Sequence, residues 1–414
     1  MLVAVSGCQC AQLPNLIFAC PDARGCEVPD AGPDSGGDAG LFCNTWTCVE
    51  ARWAPPADAG FPGFTSFALN LDPGVDAGLY GVLGWFGGVL LPSGKVLAIP
   101  HRVPFVLEID PDPLNHSVRQ FGPRLASGVD RKWAGGVLTS SGIVFAFPYE
   151  EGRMLRIDPA DASVERWGPD LQRPDGGPPH YVGGVIDKFG FIWSVSENEL
   201  EAYPVIRVDP SDGGVATFIQ KGRWSGWWGM SRLPDDRLVA FPKEFTTNGS
   251  PYILEISPGP TITDATLTLR TTFDASDSGM SLQGGAMTRS GVLVVAPSSL
   301  QGQALLYDPR DGGTQLFPIP GIGVGFLGTH GDGYVYSSPD HQMQALRLSS
   351  DAGVQLLTSP FGADGDRYGW LGMVATPVGL VGIPGNRASV LVFQAGTPEQ
   401  RPIDVLLSPW FNKL

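Results

Sequence analysis

Arg232 and His330 interrupt series that are otherwise apolar, which makes them the first candidates for chemistry in this chain. At one place of a recurring stretch stand Val89, Val137, Val185, Ser231, Ala286, His330 and Val374. One place further on stand Leu90, Leu138, Ile186, Arg232, Met287 and Ala375. A cation among apolar neighbours is costly unless it meets water or a partner. Arg232 and His330 are therefore expected to line a polar channel that takes an anion or carboxylate; the competing reading is drift of register in worn copies. A second set is aromatic: Trp85, Trp133, Tyr181, Trp227, Phe326 and Trp370 each stand two places before a small residue, with Leu282 the exception. Such a collar suits stacking on sugar rings or gripping peptide side chains. It also suits packing of one repeat against the next. Trp224 and Trp228 raise the aromatic density of the fourth copy.

Other polar residues fall in the connections of the repeat: His101, Arg102, Glu150, Arg153, Glu201, Lys243, Asn248, His341, Asn386 and Arg387. Surface loops are polar by default, so each alone means little. The five histidines form no H-x-x-x-H or H-E-x-x-H, and no G-x-S-x-G, P-loop or dinucleotide fingerprint occurs. No catalytic residue, metal centre or cofactor is expected from these patterns.

The elements that must position these residues follow from the repeat itself. WFGGVLLPSGKVLAIP with VLEIDP, from Trp85, returns as WAGGVLTSSGIVFAFP with MLRIDP, as YVGGVIDKFGFIWSVS with VIRVDP, and as four further copies beginning near Trp228, Leu282, Phe326 and Trp370. Anchored on Gly87, Gly135, Gly183, Gly229, Gly284, Gly328 and Gly372, the spacings run from 44 to 55 residues. That length suits a four-stranded propeller blade. Within the first copy GGVLL, KVLAIP, FVLEID and SVRQF read as strands, and P-S-G as a tight hairpin. Asp110-Pro111, Asp158-Pro159, Asp209-Pro210 and Asp308-Pro309 end the third strand, because Pro removes a ladder donor and Asp bonds nearby backbone. The expectation is an all-β, seven-bladed β-propeller over 64–414. FTSFALNL, from Phe64, is expected to close the ring as outermost strand of the last blade, with IDVLL, Ile403 to Leu407, as the rival.

The N-terminal part differs in kind. All six cysteines, Cys8, Cys10, Cys20, Cys26, Cys43 and Cys48, lie there, and MLVAVSGC resembles the lipobox of bacterial lipoproteins, in which Cys8 would carry the lipid. Residues 1–8 are thus expected to be a partial lipoprotein-type signal. Residues 9–63, with VPDAGPDSGGDAG from Val28, form a Cys-containing linker too poor in apolar residues to fold. Oxidising, extracytoplasmic surroundings suit such a set, either secreted or on an outer membrane. A net charge of -15, from 27 Lys and Arg against 42 Asp and Glu, argues against nucleic acid and anionic membrane surfaces as partners. A monomer is expected.

The pattern W-x-G-G-V-L-x-P-x-G-K-V-x-x-I-P with V-L-x-I-D-P resembles a group of secreted bacterial seven-bladed proteins, and the ending LSPWFNKL from Leu407 is similar to the ending of that group. More distantly, the P-x-G hairpin and D-P strand end resemble YVTN and NHL propellers. The resemblance spans roughly 80–414 and implies a fold without implying chemistry. Two functions are therefore carried. One is a tethered or secreted binding or scaffold module for a glycan, peptide or protein. The alternative is a propeller enzyme of lyase or lactonase type with a polar site in the central channel.

Overall fold

The computed structural model describes residues 50–53, 63–69, 83–197, 202–221, 226–243, 252–271, 282–288, 290–297, 303–319, 326–329, 334–339, 344–349, 351–358, 369–376, 378–394 and 403–406. The repeat folds as expected, into seven antiparallel four-stranded sheets. In blade one the strands are Trp85–Leu90, Val96–Pro100, Val106–Asp110 and Ser117–Phe121, each bonded to the next. The first strands of the later blades are Trp133–Leu138, Tyr181–Ile186, Trp227–Arg232, Leu282–Met287, Leu327–Thr329 and Trp370–Thr376. Each touches the first strand of the next blade, and the last returns to the first, so the seven stand round a common axis. Because every sheet is an up-and-down meander, all connections from second to third strand and from blade to blade gather at one end. The first-to-second and third-to-fourth hairpins gather at the other.

Ring closure is made by the N-terminal strand. Gly63–Ala68 pairs residue for residue with Ser389–Gln394, from Gly63 opposite Gln394 to Ala68 opposite Ser389, and completes blade seven. IDVLL does not compete for that place. Ile403–Leu406 instead pairs with Glu50–Trp53 in a separate two-stranded sheet. Residues 1–49, with all six cysteines, and the ending from Leu407 lie outside the described residues.

The glycine pair does two separate jobs. Gly87, Gly135, Gly183 and Gly229 have φ of 70°, 73°, 60° and 72°, at the point where the register against the second strand shifts by one. A left-handed residue at a bulge is the place for glycine. The second glycine is kept small by its neighbours: a Cβ on Gly184 would lie 2.1 Å from Trp193 O, and one on Gly88 would lie 2.7 Å from Ile383 Cδ1 of the adjoining blade. The Asp residues at the ends of the third strands behave as turn formers. Oδ1 of Asp110, Asp158, Asp209 and Asp308 accepts the N–H two residues on, at 3.2, 3.1, 2.9 and 3.0 Å.

One feature of the third strands runs against their apolar appearance. Glu108, Arg207 and Glu255 occupy the same place and are buried, at 6%, 0% and 5% exposure. Glu108 accepts two hydrogen bonds from the cross-strand Arg119, at 2.7 and 2.8 Å, and one from Lys95 at 3.0 Å. Burial alone would raise its carboxyl, yet these cations hold it below the usual range. Glu255 is paired with Arg237 and Arg270 and accepts Tyr307 Oη–H from the next blade. A buried charge is tolerated because each is matched in place.

Candidate functional site

At the loop end of the axis, backbone hydrogen bonds run from blade to blade like a hoop. Gly385 N–H donates to Gly369 O, Gly84 N–H to Gly385 O, His101 N–H to Gly84 O, Lys132 N–H to His101 O, Tyr149 N–H to Lys132 O, His180 N–H to Tyr149 O and Glu197 N–H to His180 O. The same linkage continues in blade four, where Lys243 N–H donates to Gly226 O and Leu282 N–H to Lys243 O. Apart from Leu282, which opens its own strand, the hoop alternates between the residue before a first strand and the residue after a second strand. The second strand ends in proline in blades one, two and four and in Ser196 in blade three, and in each the next residue enters the hoop. Four successive blades thereby present four different side chains at one equivalent place: His101, Tyr149, Glu197 and Lys243. Gly226 has no room for a side chain, since a Cβ there would lie 2.5 Å from Glu197 C and 2.6 Å from Ser196 O. Blades three and four are thus drawn together under Glu197.

These four side chains are linked. Tyr149 Oη–H donates to Glu197 Oε1, and burial together with the Glu197 carboxylate pushes the phenol far above its usual range. Tyr149 therefore stays a proton donor. Lys243 Nζ lies 3.7 Å from Glu197 Oε2 and 5.6 Å from the Trp228 ring centroid. Arg131 sits 5.0 Å over the Tyr149 ring and is gripped by Glu150, with Nε to Oε1 at 2.7 Å and its own N–H to Oε2 at 3.0 Å. His101 is buried at 3% exposure, and its Nδ1 lies 2.8 Å from Trp133 O. A carbonyl can only accept, so Nδ1 carries the proton and Nε2 keeps its lone pair.

Burial, with help from Arg131 and Arg102, lowers the His101 pKa to about 4, against the opposing pull of the Trp133 carbonyl and Glu150. The unfolded chain binds a proton on this residue more readily than the folded one. Its contribution to stability is full above pH 6.5, the ordinary histidine value, and is lost as pH falls toward about 4. The loss amounts to at most about 3 kcal/mol. His101→Gln should flatten the acid-side stability slope in that window, measured by urea unfolding at neutral pH and at about pH 4.5; an unchanged slope would show that His101 is not its source.

Beneath this rim the axis is filled. In five blades the residue after the collar aromatic, Phe86, Ala134, Val182, Trp228 or Leu371, joins Phe326 in one apolar cluster. Phe86 of blade one meets Phe326 of blade six edge-on at 5.4 Å and Trp228 of blade four at 6.2 Å. Contact between blades that are not neighbours means the channel is stoppered at this level. Trp228 is only half-buried, and its ring forms part of the floor below Lys243. Trp228 Nε1 and Glu197 Oε2 have no hydrogen-bond partner among the described residues.

The collar residues expected to bind are placed differently. Trp85, Trp133, Tyr181, Trp227 and Trp370 are buried, none more than 3% exposed. Four of the indole N–H groups donate to backbone carbonyls of their own blades: Trp85 to Phe105, Trp133 to Arg153, Trp227 to Tyr252 and Trp370 to Ser389, at 3.0, 2.9, 3.2 and 3.0 Å. In this setting they pack the blades. Phe326 is out of step with them, because blade six pairs Leu327 with Ser337 where blade one pairs Gly88 with Ala98. Arg232 is 1% exposed, bonded through Nε to Asp236 at 3.1 Å and through Nη1 to Ile186 O of the preceding blade at 3.3 Å. It lies at the hairpin end of its strand, away from the rim. His330, His341 and Trp224 lie outside the described residues. Sequence reasoning named His101, Lys243 and Trp228 but missed Tyr149, Glu197 and Phe86. The usable signal was the difference between repeats at one fixed place, the residue after each second strand.

No family model matches the chain, and no curated protein matches it. Solved structures do share its fold. Virginiamycin B lyase from Staphylococcus aureus superposes with a TM-score of 0.62 at 14% identity, over 81% of this chain and 100% of that one. A streptogramin B lyase gives 0.61 at 13% identity, over 80% and 98%. The extracellular domain of the one-component system BT4673 from B. thetaiotaomicron gives 0.58 at 10% identity, over 80% of this chain and 40% of that one. At these identities the likeness is one of fold. Among the described residues no group of three His, Cys, Asp or Glu is placed to hold a metal ion.

Proposed function

We propose that this protein is an extracytoplasmic binding module, secreted or tethered through Cys8, that takes a glycan, peptide or protein ligand at the rim of its propeller. The observation that supports this reading most is the half-buried Trp228 ring beside Lys243 and Glu197, on a floor closed by Phe86 and Phe326. An aromatic face with a few fixed polar groups at its edge is what a small ligand epitope requires. The backbone hoop holds those groups in place without a ligand, so little ordering would accompany binding. The solved neighbours include an extracellular domain as well as two lyases, and a propeller serves either use.

A glycan and peptide array tests the proposal. Any ligand retained should lose about tenfold or more of its affinity in Trp228→Ala, as expected for truncation of a central aromatic anchor. A ligand whose binding is indifferent to that substitution would place recognition elsewhere.

A further inference from the structure

Of three described cations at the rim, Arg131, Lys132 and Lys243, the last is held the most loosely. Arg131 has two short contacts with Glu150 as well as the Tyr149 face. Lys132 Nζ donates to Arg102 O at 2.9 Å and Asp130 O at 3.2 Å. Among the described residues Lys243 Nζ has only the Trp228 face at 5.6 Å and Glu197 Oε2 at 3.7 Å, a separation too long for a hydrogen bond. Glu197 is 5% exposed and its Oε2 accepts nothing among the described residues. A buried carboxylate oxygen without a donor is costly, so the place is built for a donor that Lys243 does not supply.

We propose that the Trp228–Glu197 site receives an organic ammonium group from a ligand, and that Lys243 is the internal cation which that group displaces. An incoming primary ammonium would donate to Glu197 Oε2 and lie on the Trp228 face, taking both contacts that Lys243 makes imperfectly. The net charge of -15 also favours approach of a cation. Removing Lys243 empties the place without touching its walls. This inference rests on the rim being the ligand site and names the chemistry of the group it takes.

The test uses the full chain and three small probes. Butylammonium has charge and donors, tetramethylammonium has charge alone, and 1-butanol has a donor alone. Binding is followed by NMR on the indole N–H signal that Trp228→Ala removes. Lys243→Ala should bind butylammonium at least tenfold more tightly than the unaltered protein, tetramethylammonium less well, and 1-butanol without saturation. Adding Glu197→Gln should abolish the gain. If Lys243→Ala does not fold, Lys243→Gln keeps the stem and removes the charge. No gain in either variant, or butanol binding as well as butylammonium, overturns the inference. A ligand from the array that loses binding in Trp228→Ala yet is not displaced by butylammonium overturns it while leaving the rim as the site. A ligand indifferent to Trp228→Ala overturns both readings.

Discussion

Replacing Arg207 by Met should cost about 3–5 kcal/mol of stability, the range found when one partner of a buried ion pair is removed. Arg207 stands in the third strand of blade three, and it and Asp187 have fully buried side chains. Its guanidinium donates through Nη2 to Asp187 Oδ2 at 2.6 Å and to Gly259 O at 2.7 Å, and through Nη1 to Asp264 O at 2.9 Å and to Thr261 O. The last three carbonyls belong to the third-to-fourth turn of blade four, so one side chain ties two blades at the hairpin end. It also lies over Phe191 at 4.2 Å and Trp193 at 5.0 Å. With Met in its place Asp187 would be a buried charge without a cation, although Trp193 Nε1–H and two backbone N–H groups would still reach it. Arg207→Met with Asp187→Asn should recover part of the loss, because the pair is then neutral on both sides. Urea unfolding of the three variants checks this. A loss below about 1 kcal/mol for the single variant would mean that the clamp contributes little beyond ordinary packing.

A chain that begins after Leu69 should lose more. Such a truncation removes Gly63–Ala68, the outermost strand of blade seven, along with the partner of Ile403–Leu406. Six cross-strand pairs disappear, which at roughly 0.5–1 kcal/mol each amounts to about 3–6 kcal/mol. The consequence is larger than the sum, because this strand joins the two ends of the chain in one sheet. Without it Ser389–Gln394 becomes an unprotected edge, free to pair with other chains. The truncated protein should melt without a single cooperative transition and should aggregate. A peptide covering residues 61–70, added in trans, should restore the transition by supplying the strand. A truncated chain that stays monomeric and melts cooperatively would show that blades one to seven close without it.

Much of the blade was legible because its determinants are local. Gly87 and Gly88, the P-S-G hairpin and Asp110-Pro111 each act over a few residues, and repetition made their roles visible. Even so, the reason for two glycines became clear only from φ at the first and from the distance to a neighbouring blade at the second. The candidate site was legible only in fragments. His101 and Lys243 are 142 positions apart in the chain (243 minus 101), and nothing local to either shows that Tyr149 and Glu197 stand between them. The buried third-strand charges were missed for the same reason. VLEID and VIRVD look like strands with one solvated face, whereas both faces are covered by adjoining blades.

By itself the sequence determined the all-β class, the number of blades, and the hairpins and strand ends. Those properties follow from period, turn chemistry and alternation, which are read within one repeat. Only the tertiary structure decided which aromatics are buried and which remain open, that Phe86, Trp228 and Phe326 stopper the axis, and that Glu197 is left with an unmatched oxygen beside Lys243. These are relations between blades far apart in the chain. They depend on which side of a bulge each residue falls, a choice that turns Trp85 into the sheet and Phe86 toward the axis.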